Sequence, residues 1–337
     1  MKFRHLCLAV SLAAAALGAQ AEGLRVMTHN AFELSKPLLA DFEKQTGVKV
    51  ELIKAGDAGE MLNKLILTRA NPIADVVFGL DNSLAGKAEA AGILEPFAPK
   101  SDGRKARYAL PGGLISIDYG YVTLVYDKAW FAQHKLALPK SLNDLTLPAY
   151  RDLLVVENPA TSSPGQGFLF ATIRAMGEER AFSFWGKLRG NGVKVVKDWG
   201  IAYNTDFSHN GGSRPIVLSY ATDPAAEVAY SKVKVNESPV ATLPLSGAVY
   251  QQVEGAALIK GGHERAAAEK FIAFLRSEPV QKDLQTTMWM YPVMQGTPLA
   301  PVFAYAKEPA AHQTPGAAEI RAKGQGWIKR WTQVVLK

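Results

Sequence analysis

Cysteine is nearly absent: Cys7 is the only one among 337 residues, and it lies close to Met1. One cysteine excludes an internal disulfide scaffold and a paired-cysteine metal site, and thiol catalysis goes too if Cys7 is removed with an export signal. Long apolar runs are missing as well, since none reaches the roughly 20 residues that a membrane-spanning helix needs. No G-x-S-x-G elbow, H-E-x-x-H pair or G-x-x-x-x-G-K-[ST] loop occurs, and His263-Glu264 lacks a second histidine. His209, in a Ser-His-Asn-Gly-Gly turn, reads as a polar loop residue. Basic residues are interleaved with acidic ones, so no stripe resembles a nucleic-acid footprint.

What the chain does have begins at its start. Lys2 and Arg4 precede the apolar run Leu6 to Leu17, and Ala19-Gln20-Ala21 supplies small residues for a signal peptidase. Residues 1–21 read as an export signal, with cleavage before Glu22. Cys7 sits too early to be acylated as a lipoprotein. Of 337 residues, 316 remain after cleavage, enough for two domains and free of cysteine. The formal charge of +7 counts Lys2 and Arg4, so the mature chain carries two fewer, or +5. A cationic ligand would need local carboxylates to overcome that field.

The mature chain alternates strand and helix signals. Leu24 to Thr28 and Val48 to Ile53 read as strands, separated by a helix that Ser35 can cap and Gly47 can end. Met61, Leu62, Leu65 and Ile66 have helical spacing, and Asp75 to Gly79 is a short buried strand. Asp81-Asn82-Ser83 can cap a helix running to Gly92. Leu114 to Tyr126 is strand-like throughout, as expected of a strand that leaves one lobe and enters another. A second unit follows: a strand ending near Glu157, a helix from Phe168 to Met176, strands at Val193 to Val196 and Ile216 to Ser219, and helical composition from Ala225 to Tyr230. Val249 to Ile259 returns the chain before a helix from Glu264 to Arg276. The expected architecture is α/β and two-lobed, each lobe a mixed sheet flanked by helices, joined by two hinge crossings. Lobe 1 takes residues 22–119 and 252–305, and lobe 2 takes 120–251. Residues 306–337 form a C-terminal helical segment whose lobe is left open.

Aromatic rings recur beside loops at strand ends, namely Trp199, Tyr220, Trp289 and Tyr291. Each either stacks on a ligand or packs into its own lobe. Ser162 and Ser163, ahead of Pro164-Gly165, either cap a helix or offer its N-terminus to an acceptor-rich group. Asp57 and Asp223 are loop carboxylates able to pair with a cation or simply to close turns.

These residues lie in segments that resemble the periplasmic thiamine-binding proteins of bacterial ABC importers. Ala74-Asp75-Val76-Val77-Phe78-Gly79-Leu80-Asp81-Asn82, Asp118-Tyr119-Gly120-Tyr121, Val125-Tyr126-Asp127-Lys128, Thr161 to Gly165, Val217-Leu218-Ser219-Tyr220 and Trp289-Met290-Tyr291-Pro292-Val293 carry the likeness. They are spread over the whole mature chain, and their order makes the likeness specific. The resemblance implies a type II periplasmic binding protein. Thiamine would lie between its lobes, against Asp57, Ser162, Ser163, Trp199, Tyr220, Ala221, Thr222, Asp223 and Trp289. Aromatic faces attract a quaternary thiazolium by roughly 0.5–2 kcal/mol each, and an aminopyrimidine donates to a carboxylate. Phosphate esters of thiamine would suit the Ser162-Ser163 turn.

Three departures stand out. Thr28-His29-Asn30 replaces the tyrosine that ends the family's first strand, and no tryptophan occurs near Phe32 to Ser35. His29 is then a substitute ring that would repel a cation when protonated. Asp223 stands where a relative has serine, which would favour thiamine over its pyrophosphate. Tyr291 is a further candidate contact.

The expected function is capture of thiamine, with its monophosphate and pyrophosphate as further ligands, for delivery to an inner-membrane ABC permease and its ATPase. The protein would be a periplasmic monomer with no cofactor, metal, nucleic-acid partner or catalysis. The alternatives are the same fold holding ferric iron or a polyamine, or a secreted thiamine-phosphate hydrolase. Iron is disfavoured by the lack of a Tyr-Tyr pair, and a polyamine would need several convergent carboxylates. A hydrolase would need a nucleophile beside a base, or a metal.

Overall fold

The computed structural model describes residues 23–99 and 103–337; the proposed export signal lies outside the described residues. The chain opens with β1 (Leu24–Thr28), α1 (Lys36–Thr46), β2 (Val50–Lys54), α2 (Ala58–Leu67) and β3 (Val76–Asp81). β1 pairs in parallel with both β2 and β3, and α1 and α2 make the crossovers that parallel strands require. Ser35 takes the N-cap position of α1, and Gly47 ends it at φ 71°, a left-handed conformation that glycine adopts without steric cost. The Asp81 carboxylate accepts the Ser83 and Leu84 N–H groups at 3.0 and 3.1 Å, which starts α3 (Ala85–Ala91). The short β4 (Leu94–Glu95) then pairs with a returning strand.

β5 (Ile115–Asp127) is 13 residues long and buried along nearly its whole length. Its first half lies against β10 (Tyr250–Ile259) and its second half against β8 (Ile216–Tyr220) and β9 (Val240–Leu243), all antiparallel. Between these come α4 (Lys128–His134), β6 (Leu154–Glu157), α5 (Ser163–Met176), α6 (Glu178–Gly190), β7 (Lys194–Val196), the single turn α7 (Trp199–Ile201) and α8 (Asp223–Tyr230). The principal strand order is β2-β1-β3-β10-β5-β8-β6-β7, so one twisted sheet path runs through both halves of the molecule. After β10 follow α9 (Arg265–Leu275), α10 (Glu278–Thr287), β11 (Tyr291–Pro292) and α11 (Ala317–Val335).

Separate apolar cores lie on either side of the crossing strands. Residues of β1, β3, α2, α9 and α10 fill two clusters at one end. A third, containing Phe168, Trp185 and Leu218, fills the other. α11 joins this third core, where Trp331 meets Trp185 edge-on at 5.5 Å. It also reaches α3 through an Arg321–Glu89 ion pair. Between β11 and α11, residues 306–316 run alongside the crossing strands. Here Gln313 N–H donates to Val249 O at 2.8 Å, and Gln251 N–H donates to the Thr314 hydroxyl at 2.7 Å.

The structure differs from the sequence reading mainly at α5, which starts five residues before Phe168. Pro164 and Gly165 read as loop residues, yet Pro is well suited to a first helical turn. A Cβ on Gly165 would lie 2.4 Å from Glu157 O, so the glycine is there for close packing of helix on strand. α6 and α10 were not anticipated.

Candidate functional site

A cleft of about 420 Å³ opens between the two ends of the molecule, within the usual range for a small-molecule site. The lining comes from the ends of β1 and β8, the N-termini of α2, α5 and α8, the face of β10, and the loop after α10. This arrangement places chain ends and helix starts, where polar groups are free, around one space.

Eight of the residues singled out from sequence line it: His29, Asp57, Ser163, Trp199, Tyr220, Thr222, Asp223 and Trp289. Three do not. Ser162 is fully buried behind the wall, where its carbonyl accepts the Gln166 N–H in the first turn of α5. Ala221 is buried against Tyr119 and Tyr291, and its N–H donates to Tyr121 O. Tyr291 stacks on Tyr119 at 5.2 Å and donates its hydroxyl to Ala306 O, so it supports the wall from behind. Tyr203, Glu227, Tyr230 and Glu254 line the cleft without having been anticipated. Signals for two of them exist in the sequence. Glu254 is a charge inside an apolar strand, and Glu227 lies one helical turn beyond Asp223.

Two aromatic walls stand out. Trp199 stacks on Tyr203 at 5.3 Å with an 18° tilt, and its indole N–H donates to Ser219 Oγ at 2.8 Å. Trp289 lies nearly parallel to Phe303 at 6.5 Å and donates to the Tyr230 hydroxyl at 3.1 Å. Its φ of 59° is unusual for a bulky side chain and costs about 1 kcal/mol or more, strain of the kind that gathers at functional sites.

The remaining wall is acidic. Asp57, Asp223, Glu227 and Glu254 line the cleft, and among the described residues no Lys or Arg does. Burial raises Asp57 above the usual carboxylate range, although the Ser162 hydroxyl and the Trp199 N–H at 3.1 Å oppose this. Burial pushes Asp223 up to about 7, opposed by the nearby Ser219 hydroxyl and by the Tyr220 N–H, which donates to it at 3.3 Å. Glu254 sits directly opposite Asp118 across the β5–β10 pair, an unfavourable placement for like charges. Burial, then the Glu254 charge, drives Asp118 well above its ordinary value. Burial opposes charge on His29, but Glu254 at 3.6 Å and then Asp57 outweigh it, and the imidazole pKa is raised.

The two ends also touch directly across the cleft. Glu60 N–H donates to Thr161 O at 3.0 Å, and Lys197 pairs with Glu60 at 2.8 Å. A Cβ on Gly59 would fall 2.7 Å from the Thr161 backbone, so this approach depends on glycine. Among the described residues, no group of three or more His, Cys, Asp or Glu side chains is placed to hold a metal.

Two lobes enclosing an aromatic and polar cleft, bridged by long shared strands, define a solute-capturing protein with the type II periplasmic binding protein fold. The chain belongs to the bacterial extracellular solute-binding proteins, whose family pattern matches residues 71–323. The thiamine-binding periplasmic protein of Escherichia coli K12 is 32% identical over 302 residues, spanning 88% of this chain and 87% of that one. A solved periplasmic thiamin binding protein superposes with a TM-score of 0.80 at 30% identity, over 93% of this chain and 96% of the other. The ferric binding protein of Campylobacter jejuni shares the fold, with a TM-score of 0.72 at 18% identity over 92% and 99%.

Proposed function

We propose that this protein is the extracytoplasmic receptor of an ABC importer for thiamine, with the monophosphate and pyrophosphate as further ligands, and that it catalyses no reaction. The observation that carries this reading is the lining itself: two indole walls and four carboxyl groups beside one histidine, with no Lys or Arg among the described residues. A flat cationic heterocycle satisfies both halves of that lining, because aromatic faces attract a quaternary nitrogen and buried carboxylates need a counter-charge. The similarity to thiamine-binding relatives over most of the chain supports the same ligand.

On this reading residues 1–21 direct export and are removed, and the mature monomer diffuses in the periplasm to a permease and its ATPase. Lobe 1 comprises 22–119 with 252–305, and lobe 2 comprises 120–251. The packing of α11 into the core that contains Trp185 supports placing the C-terminal segment with lobe 2. Capture is closure of the lobes on the ligand, which favours the closed population by the difference in affinity between the two states.

Calorimetry on refolded, ligand-free mature protein tests the reading. Thiamine should bind in a one-to-one complex, and spermidine and ferric citrate should give no heat. Absence of heat with every thiamine compound would refute it, and phosphate release from thiamine pyrophosphate would show a catalyst instead.

A further inference from the structure

The two crossing strands carry an acid pair at the floor of the cleft. Glu254 of β10 and Asp118 of β5 are register neighbours in the antiparallel ladder, so their side chains leave the same face of the sheet. The register shifts between Glu254 and Gly255, a bulge of the kind that re-aims a side chain. Glu254 lines the cleft and is 4% exposed, whereas Asp118 does not reach the cleft and is fully buried.

The surroundings of the two differ. Glu254 faces one cation, the His29 imidazole at 3.6 Å. Neither Asp118 oxygen receives a hydrogen bond, and among the described residues the charge acting on Asp118 is that of Glu254. The further ionisable groups around Glu254 are Asp81 on β3 and the Tyr220 phenol on β8; those around His29 are Asp57 and, at the end of β2, Lys54. The pair thus has one positive partner for two carboxyl groups. A buried carboxylate without a hydrogen bond or counter-charge is costly, so the pair keeps a proton, and that proton rests on Asp118, the member without a cation. Burial and then the Glu254 charge act in the same direction.

We propose that capture of a cationic ligand is coupled to proton release from the Asp118–Glu254 pair, so that the protein takes up a cation and gives a proton to the solvent. The inference rests on the proposed thiamine function, because the quaternary nitrogen brings a positive charge that does not titrate. Protonated Asp118, the Glu254 carboxylate and the His29 imidazolium sum to no net charge. A cation seated beside them favours the ionised form of the second carboxyl group. Loss of the His29 proton is the competing route to the same charge. By linkage, a step that releases a proton is favoured as pH rises, so thiamine affinity increases from pH 6 to pH 8.

Calorimetry of thiamine binding in buffers of different ionisation enthalpy counts the protons released, since each one adds the heat of protonating the buffer. The wild-type protein should release between about 0.3 and 1 proton per thiamine at pH 7, and its affinity should rise roughly three- to tenfold from pH 6 to pH 8. Infrared difference spectra locate the source: thiamine should remove a protonated-carboxyl carbonyl band, and isotope-labelled aspartate should shift that band. In Asp118→Asn the loss of this band should shrink at least twofold while thiamine still binds. The labelling uses the unaltered chain and decides the matter if the variant fails to fold. Binding heat independent of buffer, a lost band that ignores the aspartate label, or a loss of full size in Asp118→Asn overturns the inference. Proton release with no change in any carboxyl band places the source on His29 and overturns it too. Failure of the wild-type protein to bind thiamine at all overturns the functional reading instead.

Discussion

Trp199 joins three functions in one side chain: its face walls the cleft, its indole N–H holds Ser219, and its backbone N–H reaches Asp57 across the lobes. Trp199→Phe keeps a ring but frees Ser219, and should weaken thiamine roughly tenfold. Trp199→Ala should weaken it more, as expected when a desolvated cation–π contact of up to about 2 kcal/mol is lost with its stacking area. Fluorescence titration of both variants checks the order. The raised carboxyl groups set a pH dependence of stability. Asp81 is pushed by burial up to about 6 and Asp223 to about 7, both above their unfolded value of 3.8. Stability from these groups is full below 3.8 and is lost as pH rises through 6 and 7. The ligand-free protein should therefore melt at a lower temperature at pH 8 than at pH 5, and Asp223→Asn should narrow that gap. Scanning calorimetry across this range decides it; a melting temperature independent of pH would contradict the assignment. Sequence made Asp57, Asp223 and the two tryptophans legible because they sit beside turns. Tyr203 was not legible, since a tyrosine inside an irregular helical turn carries no periodic signal.

At the level of elements, the first turn of α2 does more than begin a helix. Gly59 lets it meet the Thr161 backbone, Glu60 bonds there through its N–H, and Lys197 closes the contact from the other lobe. A β-branched side chain at position 59 cannot be accommodated without separating the lobes. Gly59→Val should weaken ligand binding at least tenfold while leaving the unfolding temperature of the ligand-free protein within a few degrees. Small-angle scattering should show a larger radius of gyration that thiamine no longer reduces. β1, α1, α2 and β3 were readable within a few residues, because apolar periodicity and the Ser35 and Gly47 punctuation agree. α5 was shortened and α6 missed for one reason. Packing on both sides buries glycine and aromatic residues that, taken locally, look like a loop followed by an undifferentiated apolar stretch.

The whole molecule rests on separate cores tied together by shared strands. The tie at the far end is α11, whose Trp331 is fully buried against Trp185. Trp331→Ala should cost about 3–5 kcal/mol, with a lower denaturant midpoint and little change in thiamine affinity once folded. Two crossings were legible in the long apolar strands β5 and β10. The companion segment at 306–316 was not, because an irregular chain pinned by Gln313 and Thr314 has no composition of its own. That segment is anchored at one end by Glu308, which accepts the Tyr119 and Tyr121 hydroxyls at 3.1 and 2.8 Å, and at the other by its bonds to β10. Three cords laid side by side bend together readily but resist being wrung. Removing the Gln313 and Thr314 bonds should therefore loosen twisting between the two halves more than bending, which hydrogen exchange along β10 would register as lost protection near Val249 and Gln251.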